Sequence, residues 1–114
     1  MNAFILPIRR ERYLSKLTSA KHRAKFLDRL NHRFVGDLDN RYIAAIPRFR
    51  NPLRATLCYV IADEQQFDGK LVAPAVASDF LSSARFGIVV SYFPGKLAAD
   101  KDEAPADVIW LERS

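Results

Sequence analysis

The sequence predicts an α+β domain in which N-terminal helices pack on a small, mostly three-stranded sheet containing one βαβ unit, in the order α-α-α-β-α-β-β. Three observations lead there. Between Arg9 and Val35 the apolar residues recur every three or four positions, the period of a helix. Two later segments, 56–62 (TLCYVIA) and 86–93 (FGIVVSYF), are apolar on both faces and rich in β-branched and aromatic residues, as interior strands are. More than twenty residues separate them, enough for a crossover and far more than a tight hairpin needs.

The helical stripe does not stay on one face. At about 100° per residue, Tyr13, Leu14, Leu17, Ala20 and Ala24 centre on one direction, and Phe26, Leu27, Leu30 and Phe34 about a quarter-turn away. A break at Thr18-Ser19, both good N-caps, resolves the conflict into helices at 8–17 and 19–35. Gly36 suits the left-handed position after a helix. Asp37 or Asp39 then caps a third helix carrying Leu38, Tyr42, Ile43 and Ile46, which Pro47 ends. Asn51-Pro52 marks a turn.

In the second half, Asp68-Gly69 reads as a turn and 74–83 as a helix with proline at a favoured first position. Strand, helix and strand then imply a parallel, right-handed unit. Pro94-Gly95 ends the second strand, 98–106 (AADKDEAPA) reads as a loop, and 107–112 (DVIWLE) as a last strand. The expected core is Leu57, Tyr59, Ile61, Leu81, Ile88, Val90, Ile109 and Trp110.

At 114 residues with 49% hydrophobic and 27% charged content, the chain reads as a single globular domain over 1–114. No apolar run approaches the roughly 18 residues that a membrane-spanning helix needs. The run Phe4-Ile5-Leu6-Pro7-Ile8 lacks the basic start and small-residue cleavage site of a signal peptide. The Arg-rich first third loosely resembles an organelle transit peptide, but its periodicity is that of a core-packing helix. The single cysteine, Cys58, forms no internal disulfide, so a reducing, cytoplasmic compartment is expected.

Charge divides the chain. Residues 1–54 hold thirteen Lys/Arg against four Asp/Glu, a balance of +9, and residues 55–114 hold five against nine, a balance of −4. A basic helical half thus precedes an acidic βαββ half, which points to a charged partner. Within the basic half, His22, Lys25, Arg29, His32 and Arg33 fall inside roughly a 100° arc of the second helix. Such groups repel one another unless neutralised, and phosphates neutralise them with release of counterions. Arg48-Phe49-Arg50, with Arg54 after the turn, adds guanidinium groups around an aromatic face suited to stacking a base. Taken singly, each of these residues is equally at home as a solvated surface side chain whose stem covers apolar area.

Other chemistry is weakly represented. His22 and His32, ten residues apart, lie about 15 Å from each other on a helix, too far to share an ion, so no metal and no cofactor is expected. A parallel sheet would gather Asp63, Glu64 and Lys96 beyond its strand ends as a possible strand-end acid/base site. Asp68-Gly69-Lys70 matches the D-x-K tail of some nucleases but sits in a turn. Neither a Gly-rich phosphate loop nor a nucleophile elbow is present. The readings that stand are a nucleic-acid-binding module, a protein-interaction module binding an acidic partner or a second copy of itself, and, less supported, an enzyme using the strand-end carboxylates. A basic helix lying on anionic lipid is a minor fourth.

Overall fold

Six strands form one antiparallel sheet in the computed structural model, which describes residues 4, 38, 40–64, 66–102 and 107–113. They are β1 (Ile43–Ala44), β2 (Cys58–Ala62), β3 (Leu71–Val72), β4 (Ile88–Phe93), β5 (Leu97–Lys101) and β6 (Ile109–Glu112), in the spatial order β1-β6-β5-β4-β2-β3. Every neighbouring pair is antiparallel. One α-helix, α1 (Pro74–Ser83), occurs among the described residues.

This overturns the expected architecture of N-terminal helices on a three-stranded sheet with a parallel βαβ unit. The two long apolar strands, β2 and β4, are adjacent and antiparallel, pairing Tyr59 with Ser91 and Ala62 with Ile88. The error has a short physical cause, the two-residue strand β3. It turns back along the outer side of β2, with Cys58 opposite Val72, so the chain has already reversed before α1 begins. The crossover through α1 therefore joins β3 to β4, which run the same way with β2 between them. The proposed third helix over 38–46 is instead a 3-10 turn at Asn40–Tyr42 followed by β1. The expected loop at 98–106 begins as β5. The helices expected at 8–17 and 19–35 lie outside the described residues.

Both faces of the sheet are covered, which is why β2 and β4 are apolar on both sides. On the α1 face, Cys58, Val60, Ile88, Val90, Leu97 and Ala99 pack with Ala77 and Leu81. The opposite face buries Ile61, Val89, Ala98 and Leu111 beneath Phe4 and Leu38. Of the expected core, Ile61, Leu81, Ile88 and Val90 are buried, Tyr59, Ile109 and Trp110 are partly buried, and Leu57 is 53% exposed.

Several contacts fasten α1. Ser78 Oγ and the Tyr92 hydroxyl lie 3.1 Å apart, and Lys101 Nζ donates to the Leu81 carbonyl at 2.7 Å, filling an acceptor that the helix end leaves unpaired. Phe67 meets Phe80 edge-on at 4.8 Å and stacks on Phe86 at 5.1 Å. A bulge at Tyr92 shifts the β4–β5 register, so that Tyr92 and Phe93 both reach the α1-side core. Glycine is required in two turns: Gly69 (φ 76°) before β3 and Gly95 (φ 73°) between β4 and β5. The Ala62 amide donates to Asp68 Oδ1 at 3.1 Å, so Asp68 serves the turn into β3.

Asp100, on β5, is 5% exposed between its pairing partners Val89 and Ile109. Burial, reinforced by the charge of Asp102, raises its carboxyl from the ordinary 3.8 to about 7. Because the folded chain holds this proton more tightly than the unfolded one, its stabilising contribution is complete below about pH 4 and is lost as pH rises to about 7. Asp100→Asn, neutral at every pH, is expected to gain stability over the parent between pH 4.5 and pH 8, by on the order of 2–4 kcal/mol. Urea denaturation at both pH values measures this, and a difference between the two proteins that stays constant with pH rules it out.

Candidate functional site

Residues 45–57 leave β1 at one side of the sheet and enter β2 near the other, so they must pass over β6, β5 and β4. They pass on the α1 face, because Ala55 lies in that core and the 3-10 turn Pro52–Arg54 packs against α1. A segment crossing a sheet has no ladder to satisfy its amides, and buried amides need acceptors.

Glu112 supplies them. Trp110 points into the α1-side core, so Glu112, two residues on, faces the same way. Glu112 is 7% exposed, and its carboxylate accepts three consecutive amides: Arg48 on Oε1 at 2.5 Å, and Phe49 and Arg50 on Oε2 at 3.0 and 3.1 Å. Successive N–H groups around one anion form a nest, and bonds to an ionised acceptor are stronger than neutral ones. Asn51 then closes the segment, its side chain accepting the Leu53 amide at 3.0 Å with Pro52 at the first position of the 3-10 turn.

Most side chains of the clamped loop face solvent. Arg48 and Arg54 are exposed, Phe49 is 63% exposed, and Arg50 is half-buried with Nη1 donating to the Arg113 carbonyl at 2.7 Å. Residues Pro47, Arg48, Phe49, Arg50, Asn51 and Pro52 line a concavity of about 420 Å³. The Tyr42 ring, which packs against the core of the opposite face, carries two guanidinium groups, with Arg113 at 4.8 Å and Arg41 at 5.1 Å from its centroid, and meets Phe4 edge-on at 6.1 Å. Three arginines, Arg48, Arg50 and Arg54, thus belong to this loop and its following turn, and the Arg113 carbonyl supports it.

The expected site residues have different fates. Arg48, Phe49, Arg50 and Arg54 share one loop and its following turn, as their spacing suggests. His22, Lys25, Arg29, His32 and Arg33 lie outside the described residues. Asp63, Glu64 and Lys96 are not brought together. The Asp63 amide donates to the Gly87 carbonyl, before β4, whereas Lys96 follows β4 and its amide donates to Phe93. The two ends of that strand are about 20 Å apart at about 3.3 Å per residue. Their expected meeting depended on β2 and β4 being parallel. Among the described residues no three His, Cys, Asp or Glu side chains gather as metal ligands.

Sequence reasoning missed Glu112 and Arg113, which lie in the acidic half more than sixty residues from the loop they hold. It also missed Tyr42, assigned to a helix core. A glutamate closing an apolar strand (IWLE) was the one visible signal that a charged group sits where burial is expected. Compared with known proteins, the chain matches no family model, no curated protein and no solved structure.

Replacing Glu112 with alanine orphans three partly buried amides, each costing roughly 1–3 kcal/mol, partly recovered through water. Glu112→Ala is therefore expected to lose about 2–4 kcal/mol in urea denaturation, with faster hydrogen exchange at the amides of Arg48, Phe49 and Arg50. A loss under about 0.5 kcal/mol, the range of ordinary surface substitutions, contradicts the clamp.

Proposed function

We propose that this chain is a binding module for the phosphate backbone of nucleic acid, working through the Arg48-Phe49-Arg50 loop with Arg54 and through the basic set His22, Lys25, Arg29, His32 and Arg33. The observation that carries this reading is the use of Glu112. Both of its carboxylate oxygens are occupied by backbone amides, so the acid nearest the loop is committed to the main chain while Arg48 and Arg54 stay exposed to solvent. Guanidinium groups suit phosphate, which they bind through paired N–H donors.

The +9 balance of residues 1–54 supports the same partner, since neutralising phosphates releases counterions in proportion to the contacts made. Binding by such a surface weakens steeply with salt and discriminates little between sequences.

Fluorescence polarisation with a labelled oligonucleotide is expected to show binding at about 50 mM salt that falls at least tenfold by about 200 mM. Arg48→Ala should weaken it and reduce the slope of log affinity against log salt by about 1, the signature of one phosphate contact removed. Lack of binding at the low-salt end refutes the reading. An unchanged slope in Arg48→Ala removes the loop from it.

A further inference from the structure

Among the six phenylalanines described, Phe4 packs under one face of the sheet and Phe67, Phe80, Phe86 and Phe93 pack against the other. Phe49 is the exception, 63% exposed on a loop whose backbone is held at three successive amides. Pro47 and Pro52 bracket it, each fixing its own φ. The ring therefore sits on a restrained backbone, between Arg48 and Arg50, at the rim of a concavity. A side chain on a restrained backbone costs less to order when a ligand stacks on it than one on a slack loop.

We infer that the Phe49 loop takes an unpaired base, so that single-stranded nucleic acid, not duplex, is the ligand of this surface. The inference rests on the nucleic-acid reading above and narrows it. Bases within a duplex are stacked above and below and offer no open π-face, whereas an unpaired base does, and every base has one. The flanking guanidinium groups then meet the phosphates on either side of the stacked base. Arg50 keeps further N–H donors after giving one to the Arg113 carbonyl, because a guanidinium carries five. Glu112 is a positioning residue here: it touches no ligand and holds the amides that set the ring's place.

The test uses the full chain with labelled single-stranded DNA, single-stranded RNA and a duplex of the same sequence, at about 50 mM salt. At least one single strand should bind tenfold or more tightly than the duplex. Phe49→Ala should weaken single-strand binding by about 5- to 100-fold, the range of one stacked base, and leave duplex binding within twofold. Phe49→Trp should restore affinity, and its added indole emission should be quenched by the single strand and not by the duplex. Phe49 is exposed, so these variants leave the core intact, which a thermal melt confirms. Duplex binding equal to or tighter than single-strand binding overturns the inference and leaves the phosphate reading standing, as does an unchanged single-strand affinity in Phe49→Ala. Absence of binding to all three overturns both.

Discussion

One carboxylate anchors the segment that crosses the sheet from β1 to β2. An antiparallel sheet ordered β1-β6-β5-β4-β2-β3 requires the chain to travel from its first strand, at one edge, across the intervening strands to its second. That segment packs on a covered face, where each amide without an acceptor costs roughly 1–3 kcal/mol. Glu112 meets three of them with two oxygens. In return its own charge, on a residue 7% exposed, is stabilised by N–H dipoles. The carboxylate and the part-buried amides of the crossing segment therefore satisfy each other, while Arg48 and Phe49 stay exposed.

The same constraint explains which parts of the structure were legible in the sequence. Local signals held where one rule dominates. Pro74 opens α1, Pro94-Gly95 turns the chain between β4 and β5, and the β-branched runs became β2 and β4. Pairing direction did not follow from these signals, because Leu71-Val72 is too short to stand out by periodicity and yet reverses the chain. Strand β5 was hidden for a different reason. Ala98, Ala99 and Asp100 have weak β-propensity, and their strand state comes from pairing on both sides, with β4 and β6. Small side chains suit that place, since both alanines are fully buried under opposite cores.

At the candidate site the arginines of the loop were readable from their spacing, but what organises them was not. Glu112 and Arg113 come from the last strand, and no local pattern links them to residues 48–50. Among the described residues the basic and acidic halves are consequently interleaved, with Glu112 and Arg113 bound to the 48–50 loop. The acidic half contributes the internal counter-charge of the basic loop and, through the Arg113 carbonyl, an acceptor for Arg50, while Asp100 and Glu112 are buried. Its exposed negative charge is smaller than its sequence balance implies.

Phe49 shows why position, and not composition, identifies a site here. Burying a phenyl ring stabilises a fold by about 1.5–3 kcal/mol, and the aromatic cluster of Phe67, Phe80 and Phe86 shows this chain using that gain beside α1. The loop forgoes it. An exposed ring on a slack loop would need no explanation, because single exposed apolar residues are common on protein surfaces. A ring whose neighbouring amides are held by a buried carboxylate is a different case, since the fold has committed Glu112 to keep that backbone in place. The clamp thus holds the backbone from which Phe49, flanked in sequence by Arg48 and Arg50, is exposed to solvent.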